Sequence, residues 1–233
     1  GNPFFWQGDT GWLLFGELDD EDTKAYLADR KKKGFNVIQV MLIHSLAEKD
    51  TYGDPALTDH DLSRPLTGSN NDLHNYWNHV DKVVDMAAKD GIYIAMVPVW
   101  GTVVKSGKVS VAQAKAYAKF LADRYKDKPN IIWINGGDIQ GSDSTDIWQA
   151  MGETLRKNDL SHLITFHPRG RTISSLWFHN AGWLDFNTFQ SGHRRYDQDT
   201  SKGDFHFGED NYKYVEIGYN KMPAKPVLDA EPS

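Results

Sequence analysis

Cysteine is absent from all 233 residues. Its absence excludes disulfide scaffolds, thiol nucleophiles and thiolate metal sites, and it leaves the compartment open. Long apolar runs are missing too: none approaches the ~18 residues of a membrane-span candidate, so no membrane contact is expected. The N-terminal GNPFFWQGDT lacks the basic start and apolar stretch of a secretory signal. Neither GxGxxG nor GxxxxGK[ST] occurs, so no strand carries a glycine-rich phosphate loop, and no cofactor is expected. Positive charge is in deficit, with 26 Lys and Arg against 32 Asp and Glu for a net charge of -6. Such a balance offers no footprint for a nucleic acid backbone.

What is present is an alternation. Short runs rich in branched and aromatic residues are separated by longer segments of helical period, the pattern of repeated strand-helix units around a parallel sheet. Strands are expected at 4–8, 35–42, 92–97, 131–134, 163–166, 186–189 and 226–230. Helices are expected at 19–33, 76–89, 110–125, 144–157 and 211–220, with a weak one at 174–178. Arg30, Lys31, Lys32 and Lys33 complement the dipole at the end of the first helix, and Gly34 and Gly91 close two helices. The polar stretch from 43 to about 75 is long for a connection, which marks it as a functional segment. Seven such units favour an α/β fold of the TIM type, an eight-strand (β/α) barrel in which the chain ends at strand seven. Residues 1–233 are then one catalytic barrel domain, incomplete at its C-terminus. A doubly wound open sheet is the competing architecture.

Barrel enzymes build their sites at the C-terminal ends of the strands. Those ends carry Asp9, Thr10 and Trp12, then His44, Trp100, Asp138, His167 with Arg169, Gln190 with His193, and finally Glu231. Asp138 and Glu231 follow strands four and seven and would face each other across the mouth. Two carboxylates in that relation suit cleavage of a glycosidic bond, one donating a proton while the other is ionised. Trp, His, Asn and Gln around them suit a sugar, whose C–H face stacks on indole and whose hydroxyls need fixed polar partners. The competing view is that such acids cap the next helix or pair with Arg. Gly136 and Gly137 give up side-chain packing where backbone and ligand or a neighbouring strand come close, or else make a tight turn into the next helix.

Metal ligation is not expected: His74 and His79 are five residues apart, HExxH is missing, and His44, His167 and His193 come from separate strands. A metal-dependent barrel hydrolase and a non-catalytic carbohydrate-binding barrel are the alternatives. His167-Pro168-Arg169-Gly170-Arg171 and His193-Arg194-Arg195 gather cations at one side of the mouth. They would either grip a uronate carboxylate or pair with Glu231 or a nearby Asp.

Five stretches resemble the apiosidase-like glycoside hydrolases, in order and along essentially the whole chain. They are Phe4-Phe5-Trp6-Gln7-Gly8-Asp9-Thr10-Gly11-Trp12, Gly34-Phe35-Asn36-Val37-Ile38-Gln39, Trp133-Ile134-Asn135-Gly136-Gly137-Asp138, His167-Pro168-Arg169-Gly170 and Pro226-Val227-Leu228-Asp229-Ala230-Glu231-Pro232. The resemblance implies an eight-strand barrel, often followed by a β-sandwich domain, which is expected to lie outside these 233 residues. It implies that Asp138 is the acid/base and Glu231 the nucleophile of a retaining enzyme, for which carboxyl groups about 5 to 5.5 Å apart are expected. It further implies a secreted or periplasmic protein and a polysaccharide or oligosaccharide substrate such as the apiose-bearing side chains of pectic rhamnogalacturonan-II.

Overall fold

A computed structural model describes residues 4–68, 75–193, 195–198, 205, 207–208 and 210–232. Helix ends follow local chemistry. Asp19 accepts hydrogen bonds from the amides of Glu21 and Asp22, both at 2.9 Å, and so starts α2 (Asp20–Lys32), preceded by the single turn α1 (Leu14–Glu17). Asn75 caps α3 (Tyr76–Lys89), and α4 (Gly101–Lys105) is one short turn. A reciprocal box between Ser110 and Gln113 opens α5 (Val111–Tyr125). The remaining helices are α6 (Thr145–Asn158) and α7 (Tyr212–Tyr219).

Five strands form a parallel sheet in chain order: β1 (Gly8–Thr10), β2 (Val37–Met41), β3 (Tyr93–Val97), β4 (Ile131–Ile139) and β5 (Ile164–Pro168). A second sheet holds β6 (Thr172–Ile173), antiparallel to β7 (Asn187–Gln190), which pairs in parallel with β8 (Val227–Asp229). Side chains join the two sheets: Thr165 Oγ1 donates to the Phe186 carbonyl at 2.7 Å, and Thr188 Oγ1 donates to that of Phe166. Seven parallel strands therefore follow one another around an arc. Gln39 Nε2 on β2 reaches across it to the Ala230 carbonyl beyond β8, at 2.6 Å. The architecture is an incomplete (β/α) barrel, with seven of the eight strands among the described residues.

Side-chain alternation sorts the core into two layers. Val37, Met41, Ala95, Val97, Ile132 and Ile134 fill the barrel with Phe186. Ile38, Val40, Ile94, Met96, Ile131 and Trp133 face the helices, where Trp77, Tyr117, Leu121 and Trp148 meet them. This two-sided burial is why the strands read as continuous apolar runs.

Several boundaries differ from the expected ones. The first ladder begins at Gly8 rather than residue 4, because the Asn36 side chain takes the place of ladder partners: its Oδ1 accepts from the Gln7 amide and its Nδ2 donates to the Phe5 carbonyl. Phe4 and Phe5 are left exposed. Strand four continues five residues beyond its expected end at 134, to Ile139. The connection after β2 is folded by bridges Lys49↔Pro55 and Leu57↔Pro65, and it buries Ala56, Leu57 and Leu62 in the core. Much of its length serves packing, with Trp77 Nε1 donating to the Ala56 carbonyl at 2.9 Å.

One buried ionic cluster ties the base of β4 to the end of α6. Asp159 accepts from Trp133 Nε1 at 2.8 Å, from the Ser161 amide at 3.0 Å and from His162 Nδ1 at 2.6 Å. The other ring nitrogen of His162 lies 2.6 Å from the Lys128 carbonyl, so both nitrogens face acceptors and the ring is held as imidazolium. Burial raises the Asp159 pKa, but His162 and Trp133 outweigh it and bring it down to about 2. Burial likewise depresses His162, and Asp159 reverses this to a net rise. Replacing Asp159→Asn strands a buried imidazolium and should cost about 3 kcal/mol in urea unfolding at pH 5 to 6. Because the lowered carboxyl stabilises the fold above its unfolded pKa, the gap between variant and parent should shrink as pH falls from about 4 towards 2.

Candidate active site

The site begins with an irregularity in β4. Its ladder with β5 pairs Gly136 with His167 and resumes only at Ile139 opposite Pro168, so β4 bulges outward between them. Gly136, Gly137 and Asp138 occupy the bulge at φ of 93°, 115° and 48°. A Cβ on Gly136 would lie 2.7 Å from the His167 carbonyl oxygen, and one on Gly137 would lie 2.6 Å from the Trp100 ring. Neither position admits another residue without movement. The glycines are thus part of the strand and press on neighbouring elements, which favours close approach over the tight turn into α6. Asp138, the non-glycine member, is thrust out with its side chain exposed.

Glu231 arrives from the other side of the mouth. Asp229 Oδ1 accepts from the amides of Ser191 at 3.3 Å and Glu231 at 3.4 Å, which joins the ends of β7 and β8. Gln190 Nε2 then donates to Glu231 Oε2 at 2.6 Å, and His193 Nε2 lies 3.3 Å from Oε1. Burial raises the pKa of Glu231; His193 opposes the rise, and Asp138 and Asp229 add to it by repulsion. The two carboxylates therefore sense one another. Asp229 is also raised by burial, against the hydrogen bonds from Ser191 and the Glu231 amide.

A cleft of about 610 Å³ opens at Asp138, lined also by Lys105, Gln140, Asp143, Arg169, Arg171, Gln190 and His193. Lys105 and Asp143 are paired at 3.1 Å. Trp12 and Trp100, both half-buried, lie with ring centroids 5.5 Å apart and flank His167 at 5.5 and 6.2 Å.

The expected site residues thus divide. Asp138, Arg169, Gln190 and His193 share the cleft, Glu231 is bound to two residues of its lining, and Trp12 and Trp100 form an aromatic wall around His167. His167 itself is fully buried, so it lies behind the surface a sugar would touch instead of contacting it. Asp9 turns outward, where Arg30 and the Tyr26 hydroxyl, the latter at 3.0 Å, donate to Oδ2. Burial would raise its pKa, yet these bonds hold it below the usual carboxylate value. It belongs to the joint between β1 and α2 and does not line the cleft. His44 is exposed, with its amide bonded to Glu48 Oε2 at 2.9 Å, and it too is outside the lining. Among the described residues no three His, Asp or Glu side chains converge as metal ligands; His74 and Arg194 lie outside the described residues. Lys105, Gln140, Asp143 and Asp229 were missed from sequence. Lys105 sits on a helix too short to show a period, and Asp229 is two residues before Glu231, where a strand offers no sign that its side chain helps to hold the end of β7.

The bulge makes a direct stability prediction. Gly107 has φ of 75° and open space around its Cβ position, whereas Gly137 has φ of 115° and the Trp100 ring in the way. Gly107→Ala should cost about 1 kcal/mol, from backbone strain alone. Gly137→Ala should cost about 3 kcal/mol, since overpacking is added. Thermal or denaturant unfolding of both variants checks this, and equal losses would contradict the contact.

The apiosidase-like catalytic-domain family model matches residues 1–233. A glycoside hydrolase family 5 crystal structure from Bacteroides vulgatus ATCC 8482 is 45% identical, with a TM-score of 0.94 over 100% of this chain and 50% of its own. A second solved protein, described as a glycoside hydrolase, is 47% identical with a TM-score of 0.94, over 100% of this chain and 53% of its own. The chain thus spans about half the length of these solved relatives. An endo-1,4-beta-mannanase from Rhizomucor miehei, 14% identical with a TM-score of 0.70 over 100% of this chain and 78% of its own, shares the fold. No curated protein matches the sequence. With its whole length matched and its barrel superimposing on these relatives, the chain belongs to the apiosidase-like catalytic-domain family.

Proposed function

We propose that this barrel hydrolyses a glycosidic bond with retention of configuration, Asp138 acting as acid/base and Glu231 as nucleophile, on a uronate-bearing plant polysaccharide of the pectic type. One observation carries the division of labour: Glu231 is half-buried and gripped by donors, while Asp138 is exposed on the bulge. A nucleophile must be held in one orientation as a carboxylate. An acid/base must exchange its proton with the leaving group and then with water.

In the first step Glu231 forms a bond to the anomeric carbon as the bond to the aglycone oxygen breaks, and Asp138 gives its proton to that oxygen. In the second, Asp138 takes a proton from water, the water oxygen bonds to the anomeric carbon, and Glu231 leaves as carboxylate. Two inversions amount to retention. Trp12 and Trp100 offer apolar faces to the sugar ring. Arg169 and Arg171, on the cleft wall after β5, present guanidinium groups whose forked geometry suits a uronate carboxylate. An extracellular or periplasmic place of action goes with such a substrate.

Asp138→Asn and Glu231→Gln should each lower kcat by at least ~10³-fold, and the first product seen by NMR should keep the anomeric configuration of the substrate. An inverted product would reject the nucleophilic role of Glu231. Full turnover without either carboxylate would reject the whole reading. Arg169→Met should lower kcat/KM about tenfold or more on an acidic oligosaccharide and leave it nearly unchanged on a neutral aryl glycoside. Equal loss on both would assign Arg169 a structural role and remove the uronate.

A further inference from the structure

His167 is an unusual residue to find beneath a glycosidase site. It lies at the end of β5 with no exposed surface, packed against the rings of Trp12 and Trp100. Its two nitrogens face the two halves of the candidate machinery. The backbone amide of Asp138 donates to Nδ1 at 3.3 Å, and an amide N–H can only donate, so Nδ1 must present its lone pair. Burial also pushes the ring pKa down to about 4, which keeps it neutral. The single ring proton therefore sits on Nε2. Among the described residues that nitrogen makes no hydrogen bond, and it lies 3.6 Å from Glu231 Oε2. A buried donor without a partner is costly, and this one lies just short of the nucleophile.

We infer that His167 is the positioning residue of the site: the bulge amide at Asp138 fixes its tautomer, and its Nε2–H completes the donor set that holds Glu231 in place. The inference deepens the proposed mechanism and rests on Glu231 being the nucleophile. The remaining gap is a few tenths of an ångström beyond a hydrogen bond, the kind of separation that tightens when substrate binds. Gln190 Nε2 already occupies the same oxygen at 2.6 Å and His193 approaches the other at 3.3 Å, so His167 supplies a further donor from the barrel side. Its contribution matters most when Glu231 regains full negative charge, that is, when the glycosyl-enzyme is hydrolysed. The charged groups facing this pair are Asp138 on β4, His193 past β7 and Asp229 on β8. The first and last raise the Glu231 pKa, and a donated N–H lowers it.

The test separates the two nitrogens. In His167→Gln the amide nitrogen can stand where Nε2 stood; in His167→Asn the side-chain oxygen can replace Nδ1 and nothing replaces Nε2. Expected for His167→Asn is a ~10- to 100-fold fall in kcat with the acid limb of the kcat/KM profile moved to higher pH. His167→Gln should keep the limb where it was and recover much of the rate. Identical limbs and rates in the two variants would overturn the proposal. Nitrogen-15 NMR of the unmodified protein, with the His167→Gln spectrum identifying the resonance, reads the tautomer without any assay or any variant activity. Protonated Nε2 with bare Nδ1 at neutral pH supports the inference, and the opposite tautomer or an imidazolium rejects it. A wrong tautomer leaves the retaining mechanism standing. An active Glu231→Gln would remove the mechanism while the tautomer stayed as observed.

Discussion

Three consecutive residues with positive φ, Gly136, Gly137 and Asp138, carry the geometry on which the candidate site depends. Their bulge lets β4 stay paired with β5 on both sides of the departure, so the exposed carboxylate is anchored in a sheet and not on a free loop. The close contacts run in several directions at once. Gly136 lies against β5, Gly137 against Trp100, and Gly101 at the start of α4 against the Gly137 carbonyl, where an added Cβ would come within 2.3 Å. Three segments thus meet with no spare volume, and a shift in any one is passed to Asp138. The same bulge aims the Asp138 amide at His167, so the segment carrying one carboxylate also orients the imidazole that faces the other.

The electrostatics follow a second constraint, the need to keep two acids close without neutralising both. Burial and mutual repulsion raise the pKa of Glu231, and the chain answers with donors from β7 and the loop after it. None of these is the long arm of a surface lysine. Gln190 and His167 come from the ends of strands, where the sheet holds them with little side-chain entropy left to lose. Arg169 and Arg171 line the wall of the cleft. Basic and acidic side chains thus share the cleft, Lys105, Arg169 and Arg171 with Asp138 and Asp143, on a protein whose net charge is -6.

Elsewhere the fold uses buried and half-buried polar groups as joints. Asp159 and His162 tie α6 to the base of β4, Asn130 bonds the carbonyls of Val84 and Ile92 at 3.1 and 3.0 Å, and Asp9 fastens β1 to α2 through Tyr26 and Arg30. Each joins elements that the chain connects only through long detours. The barrel thereby gains fixed register between strand and helix layers that hydrophobic packing alone would let slide.

The limits of the five longer helices were legible in the sequence almost to the residue, because a cap is decided within three or four positions: Asp19, Asn75 and Ser110 each bond amides of the next turn. By contrast, α1 and α4 were not expected, and the weak helix expected at 174–178 is only a 3-10 turn at Ser174–Leu176. Strand order was legible too, since burial on both faces leaves apolar runs that alternate with helices. The carboxylates at 138 and 231 could be singled out by counting strands. Tertiary structure alone decided what surrounds them. Whether an Asp after a strand faces the cleft or the helix layer depends on its backbone angle and on partners far along the chain: Asp138 is turned out by its bulge, while Asp9 is captured by Arg30, 21 residues on. His167 looked like a sugar contact from its position, and it became a buried bridge because its neighbours, the Asp138 amide and Glu231, come from strands 29 and 64 residues away. Local hydrogen bonding and periodicity are written in short windows of sequence, whereas the facing of a side chain is settled only when distant strands assemble around it.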